Sequence, residues 1–480
     1  MRIGQTSIIF FISKLGVSAL GFVATIVFIR LLGEDIYGFF VVTLALVSWL
    51  GIVKSVGFGE AIVKRMSEDE EPDAYLAAGT TIKVVLTTIV VIGVFVLRDY
   101  VNEYIGQPVA ELVILLVIIT IFSDLVDSAL KGTHRVHVYA PLKTVMEGTR
   151  SVAMIAFVLL GWGLTGMLLG YAVGTAVVAA LGLAIVQPNV VIPRRHHIVR
   201  LFDFAKYSWL GNMQKKTFSD MDLLILALFV PANLTGIYAV AYSLSKFLEV
   251  FGSAISTTLF PEMSKLSTED DTKLINTLTN DALTFAGLFL IPGIVGATLL
   301  GDRLLLVYGP GLDIGAHVLV ILLIAVLVYT YARQLLTTLN AIDRPDLAFR
   351  ANGAFIVANV VLNFTLIYSI GWVGAAIATT LSATVGFSLG LYYADQLLDV
   401  RLPYNEVGRQ WIAAVLMGIV VYAARELGEA NPIAAYNEVF VVLLVGLGAI
   451  VYFAVLLTIS SRLRTAVSDN LPFDVPLVYN

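Results

Sequence analysis

The stretch 204–230 reads FAKYSWLGNMQKKTFSDMDLLILALFV and sets Lys215, Lys216, Asp220 and Asp222 near the middle of an otherwise apolar run. About 20 mostly apolar residues suffice to cross a bilayer. The uninterrupted apolar part, 223–230, is too short to cross by itself, so a spanning segment must carry its charges at membrane depth. A charge there costs about 2.5–3.5 kcal/mol on insertion scales, and residues that bear it face a bundle interior or a wet cavity. Lys216 and Asp220 stand at i,i+4 and Lys215 and Asp222 at i,i+7, so each pair shares a helix face. Such pairs either neutralise one another and tie helices together or line a passage for a charged cargo.

Other apolar stretches also hold ionisable groups. Lys14 lies in the first, Asp124 and Asp127 share one face of the fourth, and Glu147 and Arg150 share a face of the fifth. Lys246 and Glu249 sit near the middle of the eighth, and Arg333 in the tenth. Lys54, Lys83 and Lys206 lie near expected cytoplasmic helix ends, where a long side chain can snorkel to water. Lys14 and Arg150 lie deeper, and a cavity role competes there with snorkelling. Asp124 and Asp127 have no opposite charge at helical spacing; they could bind a coupling proton or cation, or find a partner across helices. Cationic side chains in a cavity imply an anionic cargo, and Lys and Arg are the usual groups for phosphate.

Much chemistry is excluded by what the chain lacks. There is no Cys, hence no disulfide or thiolate site, and the few histidines lie in or beside loops. His196-His197 reads as a basic loop, because a metal site needs further ligands. No phosphate-binding G-x-x-x-x-G-K-[ST] loop, H-E-x-x-H or G-x-S-x-G occurs. No metal or cofactor is expected, and no basic tail points to nucleic acid.

The elements that must place these groups are transmembrane helices. The chain has 480 residues, 58% hydrophobic and only 14% charged, against about 25% charged in soluble domains. Apolar runs of helical length recur throughout, which predicts an all-α polytopic membrane protein with about 14 spans. Spans five and six are separated only by Gly161-Trp162-Gly163, and eleven and twelve only by Ile370-Gly371, which predicts two tight hairpins. Lys and Arg fall about 17 to 4 on the side that holds both termini, so both termini are expected in the cytoplasm of a cell-membrane protein. Arg2 precedes an apolar stretch, 8–29, that is longer than a signal h-region and has no small-residue cleavage site after it, so it reads as a retained first span.

The chain also repeats itself. Tyr37-Gly38 with a following KRMSEDEE is echoed by Thr235-Gly236-Ile237-Tyr238 with SKLSTEDD, Gly161-Trp162 by Gly371-Trp372, and Arg135 by Arg344. The offset, about 200–210 residues, holds about six spans. An even number makes the repeat parallel, with a site expected between the halves. The expected organisation is therefore an N-lobe at 1–202, a C-lobe at 203–400, and two further helices with a cytoplasmic tail at 401–480.

Several short patterns resemble the polysaccharide and oligosaccharide flippases of the superfamily that also holds multidrug and toxin extrusion transporters and lipid II flippases. They are Arg30-Leu31-Leu32-Gly33 then Tyr37-Gly38, the Gly57-Phe58-Gly59 turn followed by Ala61-Ile62-Val63-Lys64-Arg65, Gly236-Ile237-Tyr238 with Phe260-Pro261-Glu262, and Gly371-Trp372-Val373-Gly374. The resemblance implies two pseudo-symmetric six-helix lobes around a central cavity, alternating access, and a cavity lined by the first and seventh helices. By position it puts Lys14, Lys215 and Lys216 against a lipid-linked phosphate. The expected function is a flippase carrying a polyprenyl-phosphate- or pyrophosphate-linked oligosaccharide to the outer leaflet. Its partners are that lipid, the surrounding membrane lipids and glycan-assembly enzymes, with the chain a monomer. Arg150, Asp220, Asp222, Lys246, Glu249 and Arg333 complete the expected cavity set, with Asp124 and Asp127 for ion coupling. A cation-coupled drug or metabolite exporter is the rival within transport, although the first span has no acid between Ser7 and Ile29. A membrane glycan polymerase or ligase is the rival among enzymes; Glu34-Asp35 and the loop 98–109 would have to supply its acid or base.

Overall fold

The computed structural model describes residues 3–55, 57–68, 71–189, 191–268 and 272–470, which are helical almost throughout and contain no strand. The helices up to the middle of the chain are α1 (Ile3–Leu32), α2 (Glu34–Ser55), α3 (Phe58–Ser67), α4 (Pro72–Val96), α5 (Arg98–Ile105), α6 (Ala110–Gly132), α7 (Val136–Leu159), α8 (Gly163–Val186) and α9 (Arg195–Phe229). They continue with α10 (Ala232–Thr268), α11 (Thr272–Ala286), α12 (Leu290–Leu306), α13 (Ala316–Ala341), α14 (Pro345–Ile370), α15 (Trp372–Leu398), α16 (Tyr404–Glu429), α17 (Asn437–Ile459) and α18 (Ser461–Asn470).

Each expected span coincides with a helix, except the ninth, which is split into α11 and α12. The split has a local cause: Pro292 has no N–H to give to the Leu288 carbonyl, and the helix is interrupted at 287–289. Among the described residues, ten helical segments are long and apolar enough to cross a membrane by length and composition, α11–α12 counted as one. The other expected spans are α1, α7, α9 and α10, and each carries ionisable residues within its length. The protein is an all-helical multi-pass membrane protein.

Two compact units divide at Ala239/Val240, inside α10. The repeat places its boundary earlier, at 202/203 within the first part of α9, because sequence equivalence and packing answer different questions: α9 packs on α2, α3 and α4 of the first unit. The repeat itself is visible in the backbone. His134 and Asp343, 209 positions apart, are both left-handed (φ 58 and 56), each just before the Arg that opens α7 or α14. The ends of α8 and α15 close on left-handed Gln187 and Asp399. Both expected hairpins are present. The second turns on Gly371 at φ 66, ψ −149, a conformation open only to glycine.

In unit 1 the short helix α3 acts as a wedge. Phe58, Ala61, Ile62 and Met66 recur at the spacing of one helix face and are buried, while Glu60 and Lys64 lie on the exposed face. The buried face packs with Tyr75, Leu76, Ala78 and Ile82 of α4, Ile121, Leu125 and Ala129 of α6, and Leu201 of α9. Two glycines make room for it. A Cβ on Gly79 would fall 2.2 Å from Ile62 Cδ1, and one on Gly132 would fall 2.7 Å from Met66 Cβ. In unit 2 the apolar core forms around α13, with Leu335 and Leu339 fully buried against Ile275, Leu283 and Ala351.

Candidate functional site: a cationic cavity in unit 1

Unit 1 contains a cavity of about 1040 Å³, bounded by α2, α3, α4, α6, α7, α8 and α9. It is at the upper end of ordinary ligand pockets, which run to about 1,000 Å³. Its lining includes Lys54, Lys64, Lys83, Lys131, Lys143, Arg150 and Lys216 against Glu60, Asp124, Asp127 and Asp220. Among the described residues, seven cations against four acids leave a surplus of three positive charges. Such a surplus within low-dielectric walls favours an anion.

Most of these charges are held in place. The Lys216 ammonium donates to Ser48 Oγ, which donates to Asp220 Oδ2 at 2.5 Å, while Lys216 and Asp220 themselves stand 3.8 Å apart. The expected i,i+4 pair is therefore bridged by a hydroxyl of α2. Lys54 donates to Thr120 Oγ1 at 2.7 Å and pairs with Asp124 Oδ2 at 3.1 Å, so Asp124 has a partner across helices. Arg150 donates through Nε to Thr175 Oγ1 at 2.9 Å, and its guanidinium lies 3.9 Å from the Tyr171 ring centroid.

Arg150, Lys216, Asp220, Asp124 and Asp127 thus share one cavity. Asp222 is placed differently. It is buried, accepts a hydrogen bond from the Tyr238 hydroxyl, and does not line the cavity. Lys246, Glu249 and Arg333 form a separate cluster in unit 2, where Glu249 lies 2.7 Å from Lys246 and 3.1 Å from Arg333. The side chains of Lys14, Lys206 and Lys215 lie outside the described residues, although their helices are described.

Two expectations need correction. Lys54 and Lys83 do not snorkel; they are 4% and 3% exposed and line the cavity. Lys54 lies at the end of α2 but is held by Thr120 and Asp124 of α6, and Lys83 lies deeper than expected, because α4 already begins at Pro72 and α3 packs against it. The amphipathic spacing of Phe58, Ala61, Ile62 and Met66 was the sequence signal for that packing.

Asp222 gives a direct test of structure against transport. Asp222→Ala removes the acceptor of the buried Tyr238 hydroxyl, at an expected cost of about 1–3 kcal/mol. Thermal unfolding in detergent should show this loss, whereas Lys216→Ala, at a cavity-facing and partly solvated position, should change stability by under about 1 kcal/mol. Unchanged stability for Asp222→Ala would remove the structural role.

Outside the cavity, Glu71, His196 and His197 bring three potential ligand atoms within 4.8 Å of one another. The geometry is that of a latch. His197 Nδ1 accepts from the Arg194 N–H at 3.0 Å, so the Nε2 proton is the one shared with Glu71 at 2.8 Å. A metal on Nε2 would need that proton on Nδ1, against a backbone donor. The His197 hydrogen bond holds the Glu71 carboxyl below its ordinary pKa.

Residues 3–267 match the family described as polysaccharide biosynthesis protein. The chain is 31% identical over 478 residues, covering 98% of each chain, to a protein of Haloferax volcanii named "Probable flippase AglR". It is 28% identical, covering 90% of this chain and 92% of the other, to "Probable low-salt glycan biosynthesis flippase Agl15" of the same organism. Among solved structures, the fold matches a lipid II flippase MurJ in an inward closed conformation with TM-score 0.79 and 16% identity, over 94% of this chain and 98% of that one. It matches an inward-facing multidrug resistance MATE family transporter with TM-score 0.64 and 14% identity, over 80% and 98%. Match length and identity together place this chain in the polysaccharide biosynthesis protein family.

Proposed function

We propose that the chain is a flippase that moves a polyprenyl-phosphate- or pyrophosphate-linked oligosaccharide from the cytoplasmic to the outer leaflet of the cell membrane. One observation carries the reading: a wet cavity with three surplus positive charges inside a multi-pass membrane protein of this family. Ions pay a large desolvation cost in hydrocarbon, so an anionic headgroup needs such a passage while its lipid tail stays in the bilayer. The names of the two Haloferax relatives support the same cargo class. In this reading the repeat halves are two six-helix lobes whose rocking alternates access, α16 and α17 are additions, and both termini are cytoplasmic. Arg150, Lys216 and Asp220 belong to the substrate path. Lys14 and Lys215 join them by position, and the Lys246–Glu249–Arg333 cluster is the counterpart in the second half. Nothing in this scheme needs bond chemistry, so the chain acts as a transporter, as a monomer, beside the enzymes that build and use the glycan.

The reading is tested in proteoliposomes holding the purified full chain and a fluorescent short-chain polyprenyl-pyrophosphate oligosaccharide. Quenching from outside should reach nearly all of the label with the wild type and about half with Arg150→Gln/Lys216→Gln, whose thermal unfolding stays unchanged. Half-quenching with the wild type, together with ethidium transport lost in Asp124→Asn or Asp127→Asn, would replace this reading by cation-coupled export.

A further inference from the structure

Five of the seven cavity cations already have a partner. Lys54 has Asp124, Lys216 has Ser48 and Asp220, Arg150 has Thr175 and Tyr171, Lys64 has Glu68, and Lys131 lies 4.2 Å from the Tyr139 ring centroid. Lys83 and Lys143 make no ion pair or hydrogen bond among the described residues, and Lys83 is only 3% exposed. An ammonium group buried to that degree is costly unless an anion faces it.

What faces Lys83 is the start of α3. Its Nζ lies 3.9 Å from the point where a Cβ on Gly59 would sit, and Ser128 Oγ lies 4.0 Å from the same point. Gly57, Gly59, Lys83 and Ser128 all line the cavity. Gly57 caps α3 in the left-handed conformation (φ 79) without a capping side chain, and Ala61 N–H donates to the Gly57 carbonyl. The N–H groups of Phe58 and Gly59, at the positive end of the helix dipole, therefore find no backbone acceptor. The wedge packing of Ile62 and Met66 fixes this end of α3 in advance. Asp124 and Asp127 lie near enough to attract Lys83, but Asp124 is paired with Lys54 at 3.1 Å, and neither carboxylate bonds Lys83 among the described residues.

We propose that the start of α3 (Phe58 and Gly59), Lys83 and Ser128 form a phosphate seat that takes the phosphate ester of the lipid carrier. This rests on the flippase reading above and changes its geometry: the headgroup is held beside α3, and Lys216 with its Ser48–Asp220 clasp lies along the path rather than at the anchor. Ser128 now donates to the Asp124 carbonyl at 2.8 Å and turns that hydrogen toward the phosphate on binding. The open space beside Gly59 is the room the phosphate occupies. A methyl group would fit there at ordinary contact distance, so packing does not require a glycine at this position.

Binding to the purified full chain in detergent tests this, with farnesyl phosphate, inorganic phosphate and farnesol as probes. Farnesyl phosphate should bind the wild type, and Lys83→Gln should weaken it about 10- to 100-fold, the worth of a charge-assisted contact. Gly59→Asp should do the same by filling the seat with a carboxylate, with wild-type thermal unfolding, and Lys83→Arg should stay within about threefold. Wild-type affinity in both Lys83→Gln and Gly59→Asp, with loss in Lys216→Gln, would overturn the seat and leave the flippase reading standing. Inorganic phosphate binding as tightly as the farnesyl ester would overturn the assignment to a lipid headgroup. Seat binding as expected with no lipid translocation by the wild type would keep the seat and remove the flippase reading.

Discussion

Replacing Lys54 by methionine should slow translocation of a phosphate-linked lipid about tenfold, and adding Asp124→Asn should return it to within about threefold of wild type. Lys54 is nearly buried, but its partner Asp124 has a side chain 41% exposed to the cavity. Breaking a fully buried pair costs about 3–5 kcal/mol. Water in the cavity screens the stranded carboxylate, so a value nearer 1–2 kcal/mol applies here. The effect on cargo is electrostatic. Lys54→Met lowers the surplus of seven cations over four acids from three to two, and sets a bare carboxylate in the path of an anion. Asp124→Asn removes that carboxylate and brings the surplus back to three. The two readings of the site diverge at this point. In a cation-coupled exporter Asp124 is part of the engine, so the double variant would be no better than Lys54→Met. In a flippase it is a counter-ion, and its loss is tolerated. Initial rates in proteoliposomes for the wild type, both single variants and the double variant decide between them.

The same pair shows where sequence reasoning stops. The helices were legible because runs of about 20 apolar residues leave few alternatives, and the charges inside Phe204–Val230 were legible because they interrupt such a run. The hairpins were legible from Gly161 and Gly371. The repeat was legible because loops recurred along with spans, and left-handed His134 and Asp343 now give it a backbone counterpart. Lys54 and Lys83 were misread because depth was counted along a single helix. Lys54, near the end of α2, is taken up by Thr120 and Asp124 of α6, and Lys83 lies well inside α4, which begins at Pro72 and is packed by α3. The cross-helix partners Ser48, Thr120 and Tyr171 were out of reach for a different reason: no periodicity reports which residue of another helix a charge will meet. Asp222 is a further case: Tyr238, on the next helix, donates a hydrogen bond to it that no spacing within α9 announces.

Helix α8 also carries a stripe of glycines. Gly166, Gly170 and Gly174 recur every fourth residue on α8, the small-residue spacing that lets membrane helices approach closely. A Cβ on Gly170 would lie 2.5 Å from the Met154 backbone nitrogen, and one on Gly174 would lie 2.5 Å from that of Arg150. At those positions α7 and α8 touch backbone to side of backbone, and flexible side chains cannot yield to relieve a clash. Gly174→Leu should therefore cost at least the upper part of the usual 1–3 kcal/mol for overpacking, despite leucine's better helix propensity. Its unfolding midpoint should fall by about 5 °C or more. The same displacement pulls Arg150 from Thr175 and Tyr171, which lie beside Gly174 on α8, so translocation should fall along with stability. Arg150→Gln separates the two losses: it removes the charge from the cavity and leaves the glycine seam intact, so translocation should drop while the midpoint moves by no more than about 1–2 °C. A wild-type midpoint for Gly174→Leu would show that α7 can shift without penalty. In that case the seam would not be what fixes the position of Arg150, and the cavity would owe its shape on that side to the remaining contacts of α7 with α1 and α6.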